Sequence, residues 1–477
     1  MTEYEVVIGL EVHIHLKTAS KMFCGCSTDF GKAPNSQVCP VCLGFPGALP
    51  VINNKAVLLG IETALALNCK IAKFTKFDRK HYFYPDLPKN FQISQYDKPL
   101  SYDGNLDIEI DGGVKKIRLK RAHLEEDAGK LIHKENERFT LIDYNRSGMP
   151  LLEIVTEPDL RSAREAYEFL VKLKNILEYL DVSNCNMEEG SLRCDANISV
   201  RPRGQEALGT KTEVKNMNSF KAVRQALEYE AKRQIDLLNE GKAIEQETRL
   251  WNNDSQRTDT MRSKEEAHDY RYFPEPDLLP IVPSDELIAE IKKGLPEMPS
   301  EKKERFRKAY GLSDYDAAVL TRGKKVADFF EETVKSYDKP KIAANWIMGD
   351  LAAIMSAANL SIGTIALKPG DLAQMLSMID NNAISGKMAK ELLKESLETG
   401  KNPADIVKEK GISQITDEGP LKDAIEKVLT GNKKAIADLK AGKESALAFL
   451  IGQIMKETKG KASPKIVNEL LKRRMKE

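Results

Sequence analysis

Apolar and polar residues alternate from the start of the chain. In YEVVIGLEVHIHL, Tyr4, Val6, Ile8, Leu10, Val12, Ile14 and Leu16 share one side of an extended backbone, and Glu11, His13 and His15 share the other. A period of two predicts a strand with one buried face. The same pattern recurs in LDIEI, KIRLKRAHLEE, SLRCDANISVRP and TKTEVKNMN, so residues 1–283 read as strand-rich mixed structure. Over 161–181 the period changes: Phe169, Leu170, Leu173, Ile176, Leu177 and Leu180 recur at helical spacing, behind Ser162 and Glu165, which predict a capping box. A second helix is expected from about Phe220 to Leu238. Strand runs with helices inserted between them, without strict βα alternation, predict an α+β fold on an antiparallel sheet.

Pro274, Pro276, Pro280, Pro283, Pro296 and Pro299 then interrupt regular structure. Beyond Ser300 the strand patterns stop. Short amphipathic helices are expected at Ser313, Asp371 and Thr416 and at Asn402-Pro403 and Ser463-Pro464. The expected domains are 1–290, an all-helical 291–405 and a helical tail over 406–477. A length of 477 residues accommodates three such units.

Composition removes other classes. Hydrophobic residues make up 41% and charged residues 30%, as in ordinary globular proteins. No apolar run reaches the ~18 residues of a membrane span, and the N-terminus lacks the basic region of a leader, so the expected location is the cytoplasm, with no membrane partner. The net charge of +1 is a balance of opposites: −7 over residues 1–290 and +8 over 291–477. From Lys433 to the end there are 12 basic and 5 acidic residues, a stripe that either tracks phosphates or forms a solvated helix face.

Cys24-Gly-Cys26 is followed after 12 residues by Cys39-Pro-Val-Cys42. Two tight turns, each carrying two thiols, suit a closed tetrahedral Zn²⁺ site, whose role would be to pin a loop. Cys69, Cys185 and Cys194 sit in apolar surroundings and read as core residues.

Three strand faces carry unusual chemistry. Glu11, His13 and His15 share the first. His123, Glu125, Glu126 and Asp127 crowd the end of the second, and Ser191, Arg193, Asp195, Asn197 and Ser199 alternate along the third. In FDRKHYFYPDLPK, Arg79, Lys80 and His81 adjoin Tyr82, Phe83 and Tyr84. Clustered carboxylates suit a divalent cation and lysine or arginine suits phosphate, so one shared phosphoryl-transfer site would explain all of them. A salt-bridged sheet edge would explain them too. There is no P-loop, no G-x-G-x-x-G, no H-E-x-x-H and no G-x-S-x-G. Nor is there a local signature for amide hydrolysis.

These segments, with KMFCGC, CPVCLGFPGALP, FDRKHYFYPDLPKNFQISQ, TEVKNMNSF, DYRYFPEPDL and AFLIGQIMKETKGKASP, resemble the GatB/GatE family from residue 4 to about 470. Its members are the B subunits of tRNA-dependent amidotransferases. The resemblance implies a cradle-like antiparallel-sheet catalytic domain, a helical domain and a YqeY-like tail that contacts tRNA. It also implies ATP- and Mg²⁺-dependent phosphorylation of the side-chain carboxylate of Glu-tRNA(Gln) or Asp-tRNA(Asn). Ammonia from an amidase-type A subunit would then displace the phosphate, and a small C subunit would join the other two. By the same resemblance Glu11, His13 and Glu126 would hold the metal with Glu125 close by, Lys80 would face phosphate, and Asp195 and Arg193 would bind beside it. An imidazole ligand leaves Mn²⁺ open as the ion, and Cys24, Cys26, Cys39 and Cys42 look like the family's zinc-bearing variant. The competing reading is a tRNA-binding scaffold without catalysis.

Overall fold

The first strand, β1 (Tyr4–His15), realises the alternation: Ile8, Leu10, Val12 and Ile14 are buried, while Glu11, His13 and His15 are only half-buried. The structure is a computed structural model that describes residues 3–133, 137–263, 269–411, 418–440, 444–458, 462 and 464–474. By contacts, it divides into two compact units, Met1–Met298 and Pro299–Glu477.

The first unit contains β2 (Lys70–Ile71), β3 (Asp78–His81), β4 (Phe91–Ser94), β5 (Ser101–Ile110), β6 (Gly113–Glu126), β7 (Lys130–His133) and β8 (Thr140–Asp143). These are followed by β9 (Pro150–Thr156), β10 (Leu192–Pro202), β11 (Thr212–Lys215), β12 (Glu247–Asn252), β13 (Arg257–Ser263) and β14 (Phe273–Pro274). Among the described residues, nine strands form one sheet in the order β13-β12-β11-β10-β1-β9-β6-β5-β2, so the N-terminal strand is central. All its pairings are antiparallel except β11 with β12. That exception modifies the expected antiparallel sheet. The chain between β11 and β12 contains a long helix, and such a crossover returns the next strand parallel.

Helices α1 (Asn54–Ala66), α2 (Ala163–Leu180) and α3 (Phe220–Asn239) pack on the apolar face. Every residue of the expected α2 stripe, from Phe169 to Leu180, is buried, each such side chain stabilising the fold by about 1.5–3 kcal/mol. The Ser162 hydroxyl accepts from the Glu165 amide at 3.1 Å, as a cap should. The Glu165 carboxylate takes the Arg161 amide at 2.6 Å instead of closing a box onto Ser162. Covering one face with helices leaves the opposite face of β1, β6, β9 and β10 to polar side chains. A last helix, α4 (Asp285–Gly294), belongs to this unit, since Ile291, Leu295 and Met298 pack on its core.

The second unit is helical. Ser313 and Asn402 cap helices as expected, with Pro403 opening the second. Asp371 does not begin its helix, which spans Pro369–Asp380: Pro369 presets the first turn and the Asp371 carboxylate accepts from the Lys368 amide at 3.0 Å. Thr416 and Ser463 lie outside the described residues. Buried apolar side chains form two separate clusters, one from Phe306 to Ile406 and one from Leu421 to Leu471. No helix among the described residues is long and apolar enough to cross a membrane.

Candidate functional site

Strand register aligns a row of polar side chains across the uncovered face. Arg193 on β10 lies opposite His13 on β1, His13 opposite Glu153 on β9, and Glu153 opposite His123 on β6. Glu125, two residues beyond His123, joins from the same side of β6. His13 Nε2 is 3.4 Å from Glu153 and 3.7 Å from Glu125, while His123 Nε2 is 3.3 Å and 3.7 Å from the same two carboxylates. The Ser94 hydroxyl donates to Glu125 at 3.0 Å. One ligand atom each from His13, Glu125 and Glu153 lie within 4.8 Å of one another, a nitrogen-and-oxygen set suited to a divalent cation.

The electrostatics of the cluster are mutual. Burial acts to discharge His13, but the hydrogen bond to Glu153 and the charges of Glu153 and Glu125 prevail and raise it to about 8. Burial likewise opposes charge on Glu125 and Glu153, yet the neighbouring imidazoles hold both below the usual carboxylate range. Lys80 also acts on Glu153. Its amine lies over the Tyr270 ring at 4.8 Å and the Tyr82 ring at 5.9 Å, so aromatic faces hold it beside the carboxylates.

Two guanidiniums flank the row. Arg193 donates to Asp127 at 2.7 Å, and Asp127 also meets His15 at 2.7 Å and Arg146 at 3.4 Å. Burial disfavours the Asp127 charge, but Arg193, Arg146 and His15 overcome it and hold the carboxyl far below its ordinary range. Arg121, on the β6 face shared with His123, donates to the Tyr96 carbonyl at 3.1 Å. The Tyr96 ring stacks on Tyr272 at 4.1 Å and 8°. The Nε of Arg121, the Nε of Arg193 and the Nδ1 of His123 are buried with no hydrogen-bond partner among the described residues. Unpaired buried polar atoms gathered on one face call for a water, an ion or a ligand beside them.

The expected residues are distributed as follows. His13 and Glu125 meet in the cluster, Lys80 lies above it and Arg193 at its side. Glu11 is one pair further along β1, opposite Asp195, and accepts from Asn197 at 3.0 Å. Burial first, then the charges of Glu153, Asp195 and Glu213, push Glu11 up. Asp195 pairs with Lys215. Glu126 is not in the cluster, because successive residues of a strand face opposite sides. Its carboxylate accepts from Lys89 at 2.6 Å and from the Ile93 amide at 3.0 Å. Arg79 is engaged at 2.7 and 2.8 Å by Glu275. Clefts lie to either side: one of about 390 Å³ touches Gly9, Glu11, Asn197 and Ser199, and one of about 750 Å³ touches His15, Lys130, Arg146 and Arg193. Glu153 was missed in the sequence, although a lone carboxylate inside the apolar run PLLEIVT was a signal. Arg121 and Tyr270 gave none, since only folding brings them to this face.

The Cys24, Cys26, Cys39 and Cys42 sulfurs also lie within 4.8 Å of one another. Cys42 is held down at about 4, chiefly by the hydrogen bond from Cys24, whose own proton is correspondingly hard to remove. A thiolate already favoured among four converging sulfurs fits a soft cation such as zinc. Cys69, Cys185 and Cys194 are buried in the core, as expected.

Comparison with known proteins gives matches over nearly the whole chain. Residues 6–289 match the family model described as the GatB/GatE catalytic domain, and residues 328–475 match the GatB domain. Relatives named as the B subunit of aspartyl/glutamyl-tRNA(Asn/Gln) amidotransferase include that of Carboxydothermus hydrogenoformans, 57% identical over 475 residues and 99% of both chains. That of Caldanaerobacter subterraneus subsp. tengcongensis is 58% identical over 470 residues, 98% of this chain and 99% of the relative. That of Moorella thermoacetica is 54% identical over 475 residues, 99% of this chain and all of the relative.

Proposed function

Because the chain belongs to the GatB/GatE family, we propose that it is the B subunit of an amidotransferase that converts Glu-tRNA(Gln) to Gln-tRNA(Gln), Asp-tRNA(Asn) to Asn-tRNA(Asn), or both. The side-chain carboxylate of the misacylated tRNA is activated with ATP, and ammonia from an amidase-type A subunit replaces the phosphate. A small C subunit joins the other two, and the complex works in the cytoplasm. Residues 1–290 carry the chemistry, 291–405 form a helical domain, and 406–477 contact tRNA.

The observation that carries this reading is the convergence of His13, Glu125 and Glu153 between Lys80, Arg121 and Arg193. Carboxylate attack on a phosphate brings two anions together, so its barrier falls where fixed positive charge awaits them. Lys80 and the two unpartnered guanidinium Nε–H groups provide that charge. A divalent ion on His13, Glu125 and Glu153, Mg²⁺ or Mn²⁺, would neutralise polyphosphate oxygens and align them with the attacking carboxylate. Glu11 lines the 390 Å³ cleft, whose Val7, Pro158 and Leu208 suit a nucleoside, while its strand neighbour Asp195 lines the 750 Å³ cleft. The half-buried Tyr82, Tyr270 and Tyr272 would help keep water from an acyl phosphate. Glu126, held by Lys89, positions the end of β6. Zinc on the four cysteines is structural, because four thiolates leave no open coordination position.

The test is ATP-dependent amidation of each misacylated tRNA by the reconstituted three-subunit enzyme. Glu125→Gln should lower kcat by about 100-fold or more, since the ion's charge stabilisation amounts to several kcal/mol, while tRNA affinity is unchanged. Wild-type turnover in both Glu125→Gln and Glu153→Gln would overturn the assignment.

A further inference from the structure

Lys21 is completely buried, yet it takes no part in the cluster on the sheet. Its amine has two acceptors, Cys42 Sγ at 3.7 Å and the Tyr144 carbonyl at 3.3 Å, and among the described residues no carboxylate pairs with it. A buried cation is sustained only by a nearby negative charge. The Cys42 sulfur is the potentially anionic group its amine touches, whereas the Glu126 carboxylate, which lies against the same Gly148, is taken up by Lys89. Four thiolates around Zn²⁺ carry a formal charge of −2.

Lys21 also ties together both halves of the cysteine knuckle. Its amide donates to the Cys26 carbonyl at 3.0 Å, while its side chain reaches Cys42. Next to it, Gly148 has a φ of +83°, and a Cβ built there would meet Cys42 Cβ and Lys21 Cδ, each at 3.5 Å. The Gly148 carbonyl accepts from the Met22 amide at 2.8 Å, and the Ser147 hydroxyl donates to the Cys42 carbonyl at 3.4 Å. The turn over residues 144–148 therefore rests directly on Lys21 and Cys42. The same turn carries Arg146, which pairs with Asp127 beside the catalytic row.

We infer that Lys21 is the built-in counter-charge of a zinc–thiolate centre, sharing the Cys42 sulfur with the metal, so that zinc occupancy and the seating of the 144–148 turn depend on each other. This rests on the reading that the four cysteines hold zinc. Occupied, the centre supplies the anion that a buried ammonium requires, and the ammonium in turn weakens the repulsion among four thiolates. Emptied, it leaves Lys21 with less compensation, and the turn loosens.

The test is zinc competition against a chromophoric chelator at fixed pH, using the full chain. Lys21→Met keeps the shape and removes the charge, so its zinc affinity should fall about 10–100-fold, the usual effect of losing an outer partner of a metal ligand. Lys21→Arg should stay within a few-fold of wild type. Equal affinity in wild type and Lys21→Met overturns the inference while leaving the zinc reading intact. A wild-type chain that takes up no more zinc than Cys42→Ser refutes the zinc reading itself. Should Lys21→Met fail to fold, amide exchange in wild type decides: residues 144–148 should exchange at least about tenfold faster when zinc is stripped, and identical exchange overturns the proposal.

Discussion

The cation site proposed on His13, Glu125 and Glu153 must compete with a proton. His13 can bind a metal only as a neutral imidazole, and its neighbours hold it protonated up to about pH 8. Moving an imidazole from 6.5 to about 8 corresponds to about 2 kcal/mol favouring the charged form. Glu125 and Glu153 are held below the usual carboxylate range, so they stay ionised throughout the neutral region. Only His13 then sets the pH dependence from this trio. At pH 6 it is neutral in about 1% of molecules and at pH 8 in about half, so Mn²⁺ affinity should rise about 50-fold across that interval and level off above it. Free Mn²⁺ measured by electron paramagnetic resonance at pH 6, 7, 8 and 9, at constant ionic strength, reads this directly. His13→Gln should bind more weakly with a flat profile, which also separates His13 from the adjacent His123. A flat wild-type profile, or an undiminished slope in His13→Gln, would refute the reasoning. Stability of the metal-free protein runs the other way. A raised pKa stabilises fully below pH 6.5, and the contribution is lost as pH climbs through 8.

Two further outcomes are expected. Asp127→Asn leaves Arg193, Arg146 and His15 without their shared carboxylate and should destabilise the protein by about 3 kcal/mol in urea unfolding at pH 7; a loss under about 0.5 kcal/mol would mean that water readily replaces Asp127. Because its carboxyl is held far down, that contribution is complete above about pH 4 and disappears only in stronger acid. Lys472→Gln with Arg473→Gln, both exposed near the end of the last described helix, should weaken tRNA binding and reduce its salt slope by about 2, whereas an unchanged slope would exclude phosphate contacts by this pair.

Much of the first unit was legible because alternation is a local property. The faces of β1, β6 and β10 followed from residue parity, and the α2 stripe from its period. The division of the chain into two compact units after Met298 falls within the proline-rich stretch. The cysteine knuckle was legible for another reason, since its two pairs are each close in sequence. The polar row across the sheet was only half visible. His13, Glu125 and Arg193 stood out as polar residues in strands, but their association with Glu153 depends on β9 pairing with both β1 and β6. Strand order is not encoded in any one segment. Glu126 shows the opposite difficulty: next to Glu125 in sequence, it belongs to the other side of the strand and to Lys89. Arg121 and Tyr270 come to the site through β6 and the segment before β14, which no local pattern could foresee.

The central position of β1 also has a consequence for how the chain is made. It is synthesised well before its partners, β9 at residues 150–156 and β10 at 192–202. At about 5–20 residues per second, its most apolar stretch waits roughly 10–40 s for both neighbours to be synthesised. Throughout that interval both edges of a strongly β-forming strand are unpaired. Early protection of the nascent β1 should therefore govern the yield of folded protein, and a slower translation rate should increase aggregation of the first unit before any defect appears in its chemistry.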